Sequence, residues 1–202
     1  MRLYHTAASP FVRKVMVLLH EAGATDRVTL IPAAVSPLKP DAMPIDSNPL
    51  AKIPALETDD GAVIYDSRVI TRYLDDALKA GLYPSAPRLW EVLTLEATAD
   101  GMTEAAVLIR YEFHVRPEGS RSQDWAEGQW HKIDRALTAV ETRWMGHLSG
   151  PLDMGQIALG CALGYLDFRH PERDWRQSRP ALAAWSAGFA NRPAMVASRP
   201  PD

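Results

Sequence analysis

The chain has little cysteine, little net charge and no long apolar run. Its single cysteine, Cys161, excludes an internal disulfide and a Cys-x-x-Cys redox pair. A formal net charge of −3 gives no basic surface for nucleic acid. No apolar run approaches the ~20 residues of a membrane span, and residues 1–5 lack the apolar stretch of a signal peptide. We therefore expect a cytoplasmic protein that binds neither nucleic acid nor membrane.

The sequence also gives little indication of a metal site or of a reactive thiol. The six histidines are scattered without the spacing of metal ligands, so no metal site is expected. Cys161 lies in an apolar helical run, where a small buried side chain is the simpler interpretation and a reactive thiol the alternative. With 47% hydrophobic and 23% charged residues among 202, the composition is that of an ordinary globular protein.

The first 79 residues alternate between strand and helix patterns. Short β-prone runs at 2–6 and 28–33 flank a helix that Ser9 caps and Pro10 begins, which predicts a β-α-β unit. Strands near 55–58 and 62–65 enclose an Asp-Gly turn and lead to a helix over 67–79. The proline-rich residues 36–49 between them are expected to form a loop with a turn near 40–43. The order predicted for residues 1–79 is β-α-β, a loop and β-β-α, an α/β domain.

Everything beyond residue 86 has helical rather than strand-like patterns. Residues 80–86 are the predicted linker, because glycine and proline end the preceding helix. Apolar residues at spacings of three and four predict long helices over 87–115 and 123–148. A last helix is expected over 180–191, followed by an extended, proline-rich tail. Residues 87–202 are therefore expected to be an all-helical domain.

One helix start in this domain is strongly specified. Asp153 as N-cap and Gln156 three residues later form a capping box, and Leu152 with Ile157 occupy the positions of a hydrophobic staple. The residues that follow leave few polar positions. We expect this helix to be the central one of the second domain.

Two features of the first domain are suited to holding a ligand. Pro54 at the start of a strand cannot donate to the sheet, so Ile53 before it can offer its N–H and C=O to a ligand. The helix headed by Asp66 and Ser67 begins with unpaired N–H groups and a partial positive charge, which suits a carboxylate. The alternative is that Asp66 and Ser67 only cap the helix.

The order of these motifs resembles the cytosolic glutathione S-transferases, in particular bacterial serine-type members. The resemblance covers almost the whole chain and implies a thioredoxin-like N-terminal domain with an all-helical C-terminal domain. The stretches that carry it are Ser9 to Val15, Asn48 to Leu56, Asp66-Ser67, the capping box from Asp153, Arg179 to Trp185, and Arg192-Pro193.

The resemblance implies a site for glutathione as co-substrate. Ile53 would pair its main chain with the cysteinyl unit before a cis Pro54, while Asp66 and Ser67 would bind the γ-glutamyl end. Many relatives have Glu or Gln where this chain has Asp66. Lys52 is either a partner of the glycyl carboxylate or simply exposed, and Phe11 is a wall of the pocket or part of the core.

Ser9 is the predicted catalytic residue. A hydroxyl at the start of the first helix can donate to the glutathione sulfur and, with the helix dipole, favour the thiolate. A plain N-cap is the alternative, Thr6 is the second choice of donor, and Tyr4 is expected to pack in the core. Because position 9 is not cysteine, mixed-disulfide chemistry with glutathione is not expected.

The electrophile pocket is expected where the loop after the first strand meets the long helix. Interdomain core is the alternative for each of its candidates, and Arg110, His114 and Arg116 would favour an anionic co-substrate. The resemblance further implies a homodimer in which Asp100 reaches the partner's glutathione. The pocket candidates are Ala7, Ala8, Met102, Ala106, Ile109, Arg110 and Phe113.

The expected function is therefore an enzyme that activates the glutathione thiol and conjugates it to a small electrophile, as in detoxification. A non-catalytic binding module with the same fold is one alternative. A glutathione-dependent isomerase or dehalogenase is another. The sequence does not identify the second substrate.

Overall fold

The computed structural model describes residues 1–33, 36, 38 and 48–201. The chain divides into two compact units, one of Met1–Tyr83 with Pro193–Asp202 and one of Pro84–Arg192. The turn expected near residues 40–43 lies outside the described residues. In the described ranges, no helix combines the length and apolarity that crossing a membrane requires.

The first unit contains a small mixed sheet. In the part of the chain that the structure describes, its strands follow the order β2-β1-β3-β4, with β2 parallel to β1 and the other neighbours antiparallel. This thioredoxin-like α/β arrangement confirms the predicted fold class. Its elements are β1 (Arg2–His5), α1 (Pro10–Glu21), β2 (Thr29–Pro32), β3 (Ala55–Glu57), β4 (Val63–Ile64) and α2 (Ser67–Leu78).

The second unit is helical, as predicted. Its helices are α3 (Arg88–His114), α4 (Gln123–Arg143), α5 (Met145–Leu148), α6 (Met154–Arg169) and α7 (Pro180–Ala190). The single helix expected over 123–148 is wrong, because the backbone at Trp144 (φ −111°, ψ −4°) separates α4 from α5. Helix α6 is buried along most of its length and packs on α3, which confirms its central position. Cys161 is buried within it, as expected.

The start of α6 has the predicted capping box. The Gln156 N–H donates to Asp153 Oδ1 at 3.1 Å, and the Asp153 N–H donates to Gln156 Oε1 at 3.3 Å. Arg88 Nη2 donates to Asp153 Oδ2 at 3.1 Å. A Cβ at Gly155 would lie 3.0 Å from the Val92 carbonyl oxygen, so a larger residue would crowd this approach of α6 to α3.

The expected extended tail is wrong. Pro193–Ala197 forms a short helix, α8, which contacts α1 of the first unit. Ala194 and Met195 are buried there, and Arg13 Nη2 donates to the Met195 carbonyl oxygen at 3.0 Å. Proline suits the first position of a helix, so Pro193 begins one rather than prevents it. The tail therefore belongs to the first compact unit, although the sequence assigns it to the helical domain.

Candidate functional site

Three segments of the first unit meet at one end of its sheet. Tyr4 of β1 lies opposite Ala55 of β3, and Leu56 of β3 lies opposite Ile64 of β4. Both pairs are antiparallel, so the end of β1, the start of β3 and the end of β4 adjoin one another. The loop before α1, residues 53–54 and the start of α2 continue directly from these strand ends. Sequence-distant ligand-binding candidates are thereby brought to one place.

Ser9 begins α1 as its N-cap. Its backbone is extended (φ −80°, ψ 122°), and its Oγ accepts from the Val12 N–H at 3.3 Å. The Ser9 N–H donates to the Thr6 carbonyl oxygen at 3.1 Å, which holds the turn between β1 and α1. The predicted cap is therefore confirmed. A hydroxyl that accepts one hydrogen bond still has its proton to donate, so the cap does not exclude a bond to a ligand sulfur.

The segment before β3 is held by a residue that the site prediction omitted. Asn48 is buried at 1% exposure, its Nδ2 donates to the Lys52 carbonyl oxygen at 2.8 Å, and its Oδ1 accepts from the Leu50 N–H at 3.0 Å. The Ile53–Pro54 peptide bond is cis, as predicted. Asparagine before proline is a turn signal that identifies Asn48 in retrospect, because its side chain bonds its own backbone locally.

Asp66 and Ser67 begin α2. Asp66 Oδ1 accepts from the Arg68 N–H at 3.0 Å, while the side chain remains 58% exposed. Ser67 is buried, and the Thr71 hydroxyl donates to its carbonyl oxygen at 2.9 Å. The predicted cap is confirmed for Asp66. Its carboxylate retains acceptor capacity, so capping and ligand binding are compatible.

The remaining candidates of the first unit differ in exposure. Lys52 and Ala7 are exposed, whereas Ala8 and Phe11 are half-buried. His5, the last residue of β1, is also half-buried, and this burial lowers its pKa, which favours the neutral imidazole.

The candidates in the helical unit lie on α3. Met102, Ala106 and Ile109 belong to the hydrophobic core between α3, α4 and α6, with Phe113 packed against it. Arg110 is half-buried and Asp100 is buried at 5% exposure. The electrophile pocket stays a prediction. In the described ranges, no group of three or more His, Cys, Asp or Glu side chains is arranged to hold a metal ion.

Two family models match the chain, the N-terminal domain of glutathione S-transferase over residues 8–77 and the C-terminal domain over residues 123–188. The Escherichia coli K12 uncharacterized GST-like protein YibF is 32% identical over 209 residues, covering 100% of this chain and 99% of YibF. The chain belongs to the glutathione S-transferase family.

Solved structures of a Pseudomonas fluorescens Pf-5 glutathione transferase family member are also similar to this one. One, with bound glutathione, is 48% identical and has a TM-score of 0.96, covering 100% of this chain and 99% of that one. Another, with bound S-(propanoic acid)-glutathione, is 46% identical with a TM-score of 0.92 and covers 100% of both chains.

The family models divide the candidate residues of this glutathione S-transferase family member into two groups. Ser9, Ile53-Pro54 and Asp66-Ser67 lie within the matched residues 8–77. Helix α3, which carries Asp100 and Arg110, lies between the two matched ranges. The family match therefore extends to the candidate glutathione residues and leaves the second-substrate candidates on α3 outside it.

Proposed function

We propose that this protein activates the thiol of glutathione and conjugates it to a small electrophile. The thiolate sulfur attacks an electrophilic carbon, a C–S bond forms, and the electrophile loses a leaving group or takes up a proton. The thiol proton passes to solvent. The observation that carries the proposal is Ser9, whose hydroxyl stands at the start of α1 with a proton to donate.

The chemistry at Ser9 is sufficient for thiol activation. Lowering a thiol pKa from ~8.5 by two units requires about 2.7 kcal/mol of preferential thiolate stabilisation. One hydrogen bond to a charged group contributes ~1.5–3 kcal/mol, and the dipole of α1 contributes ~0.3–1 kcal/mol. Together they supply the required stabilisation without a cationic side chain.

The other residues at this end of the sheet would hold the glutathione peptide. Ile53 pairs its main chain with the cysteinyl unit, beside the cis bond to Pro54. Asp66 accepts from the γ-glutamyl ammonium, and the Ser67 N–H and hydroxyl bind its carboxylate at the start of α2. Lys52 is exposed and faces the glycyl carboxylate in this proposal, with Phe11 as a wall of the pocket.

The relatives support both halves of the proposal. The Pseudomonas fluorescens protein has been solved with glutathione and with a glutathione carrying a substituent on sulfur. A protein that holds free glutathione and an S-substituted glutathione accommodates the two ends of a conjugation reaction. At 46–48% identity over the whole chain, the same ligands are the first to test here.

Retention on immobilised glutathione and a conjugation assay test the proposal together. The purified protein is expected to be retained, to elute with free glutathione, and to consume glutathione in the presence of a chloronitrobenzene electrophile. Absence of both retention and conjugation would refute it.

A non-catalytic binding module is the second candidate, and the N-cap bond of Ser9 favours it. A cap at 3.3 Å from the Val12 N–H gives this serine a structural role that needs no reaction. This candidate expects Ser9→Ala to leave every ligand-dependent property intact. The enzyme expects loss of thiol activation.

The assembly implied by the family resemblance is a cytoplasmic homodimer, with Asp100 contributing to the glutathione site of the partner. Light scattering after gel filtration measures the mass directly, and twice the 22.3 kDa of the chain is expected. A monomer would remove Asp100 from the list of ligand contacts.

A further inference from the structure

Five arginines of the helical unit are ion-paired with a carboxylate, whereas two neighbouring, half-buried ones are not. In the part of the chain that the structure describes, neither Arg110 nor Arg169 pairs with a carboxylate. Both are half-buried. The paired arginines are Arg88 with Asp153, Arg116 with Glu112, Arg173 with Glu127, Arg176 with Asp167, and Arg179 with Asp134.

The two arginines come from adjacent helices. Arg110 lies near the end of α3, and Arg169 is the last residue of α6, which packs on α3. His170 Nε2 donates to the Ala106 carbonyl oxygen at 3.0 Å. Ala106 and Arg110 are one helical turn apart on the same face, so this bond holds the end of α6 beside the turn that carries Arg110.

Each guanidinium contacts a neutral side chain instead of an acid. Arg110 contacts His114 Nε2 one turn along α3, and Tyr165 stands one turn before Arg169 on α6, where burial raises the pKa of the Tyr165 hydroxyl and the Arg169 charge acts against this larger effect. The Arg169 guanidinium also lies 3.7 Å from the centre of the Phe168 ring. The immediate surroundings of both cations are therefore aromatic and neutral.

Electrostatics agree with this arrangement. Burial and the positive charge of Arg169 lower the pKa of Arg110. Burial, followed by Arg110, Arg169 and Arg121, lowers the pKa of His114, so its imidazole is neutral and accepts from Arg110. Burial raises the pKa of Tyr165 to about 12, which keeps its hydroxyl protonated at neutral pH. The cations repel one another, and an anion between them would relieve that repulsion.

The nearest acidic residues on these helices are already engaged. Glu112 on α3 accepts from the Ser122 N–H at 2.7 Å and from Arg116 Nε at 2.7 Å. Asp167 on α6 accepts from Trp175 Nε1 at 2.9 Å and from Arg176. Neither of these carboxylates neutralises Arg110 or Arg169, so the two guanidinium groups can still receive the carboxylate of a ligand.

We propose that Arg110 and Arg169, with the Tyr165 hydroxyl beside them, form a binding site for an organic carboxylate. A guanidinium presents a planar fork of N–H groups that matches a carboxylate. Phe168 and Phe113, both packed against the helical core, supply apolar surface for the body that carries it. The ligand is a small apolar or aromatic acid. Binding of the acid does not depend on the proposed function. The further step, in which the acid is the electrophilic co-substrate, rests on the proposed function, because Arg110 is also a candidate of the electrophile pocket.

Binding tests the site without any reaction. Fluorine NMR compares para-trifluoromethylbenzoate with para-trifluoromethylbenzamide, which share a ring and differ in charge, on the full chain without glutathione. The benzoate is expected to bind roughly tenfold or more tightly, because hydrogen bonds to charged groups are the stronger ones. No saturable binding of the benzoate, or equal binding of the two, would overturn the proposal.

Variants test whether the two arginines cause the preference for the benzoate over the benzamide. Arg110→Met and Arg169→Met are each expected to abolish it, whereas Arg110→Lys retains part of it through the charge. Arg135→Met removes an exposed arginine of α4 and serves as the matched control, with the preference unchanged. Thermal unfolding of each variant establishes that it is folded. A preference that survives in both methionine variants would contradict the assignment.

Kinetics separate this inference from the proposed function. With glutathione present, para-chloro-meta-nitrobenzoate is expected to have a KM roughly tenfold below that of the matching benzamide, and Arg169→Met removes the difference without changing the KM for glutathione. Benzoate binding without any conjugation would keep the carboxylate site and refute the transferase. Conjugation of both compounds with equal KM would keep the transferase and refute the site.

Discussion

Two aspartates begin helices in this protein with opposite surroundings. Asp153, at the start of α6, is buried at 2% exposure, accepts from Gln156 and Arg88, and belongs to a closed capping box. Asp66, at the start of α2, is exposed; it accepts one cap bond from the Arg68 N–H and lies 3.7 Å from Arg68 Nη2 in a solvent-exposed ion pair. The same side chain therefore stabilises the fold where its acceptors are occupied inside the protein. Where the side chain is exposed, as at Asp66, a ligand can still reach it.

The start of α6 differs in the same way from the starts of α1 and α2. The capping box on α6 satisfies the N–H groups of Asp153 and Gln156 with buried side chains of the protein itself. Ser9 on α1 and Asp66 on α2 each satisfy one N–H and stand where three strand ends adjoin. In this fold, cap chemistry alone does not indicate function. Exposure and convergence at the sheet end distinguish the candidate ligand-binding caps from the structural one.

Asp153→Ala should produce the largest effect on stability. It removes the cap of α6 and the carboxylate that Arg88 bonds, leaving Arg88 the Pro151 carbonyl oxygen as an acceptor, so the free energy of unfolding should fall by roughly 3 kcal/mol. Chemical denaturation measures the loss. Asp153→Asn keeps an acceptor for the Gln156 N–H and should lose about half as much. If Asp153→Ala weakened glutathione binding by the folded protein, the claim that the start of α6 is structural and the start of α2 binds the ligand would be contradicted.

Asn48→Ala should come next, because it disturbs a buried residue within the ligand-binding end. The substitution leaves the Lys52 carbonyl and the Leu50 N–H without their partner, at a cost of about 2 kcal/mol in unfolding free energy. Glutathione affinity should fall as well, since residues 52–53 are no longer held. Calorimetry on the folded variant checks the second effect, and unchanged affinity would mean that Asn48 does not position the segment.

Asp66→Asn should affect binding and spare stability. The amide oxygen still caps α2, but the charge that accepts the glutathione ammonium is lost, so the dissociation constant should rise roughly fivefold, about 1 kcal/mol. The unfolding free energy should change by less than about 0.5 kcal/mol. A stability loss comparable with that of Asp153→Ala would show that Asp66 acts as a closed cap after all.

Ser9→Ala should lower the unfolding free energy by about 1 kcal/mol, because the N-cap of α1 is lost. Ser9→Asp restores an acceptor for the Val12 N–H and should recover that loss. The aspartate carries no proton to give to a thiolate, so it should not recover thiol activation. Recovery of both properties by Ser9→Asp would refute a donor role for the hydroxyl.

Local patterns account for what the sequence predicts correctly. The box of Asp153 and Gln156 and the cap at Ser9 are each contained within four residues, so propensity and spacing determine them. The break at Trp144 and the helix α8 depend on packing: α8 forms where it contacts α1 and its Met195 carbonyl accepts from Arg13. Such long-range contacts leave no periodic signal in the chain.

The candidate sites show the same division. Ser9, Ile53-Pro54 and Asp66-Ser67 stand in short motifs that the family resemblance identifies. The proximity of Arg169 to Arg110 could not be predicted, because the two lie on different helices and only tertiary packing brings their charges together. A sequence therefore identifies candidate residues within a short motif more readily than a site formed by side chains of two different helices.

The central claim is that Ser9 lowers the thiol pKa of bound glutathione. Ultraviolet titration of thiolate absorbance in the glutathione complex measures this pKa in the wild type and in Ser9→Ala at saturating glutathione. We predict a wild-type value one to two units below the ~8.5 of an unperturbed thiol, and a return towards ~8.5 in Ser9→Ala. Equal pKa values in two proteins that both bind glutathione would contradict the account.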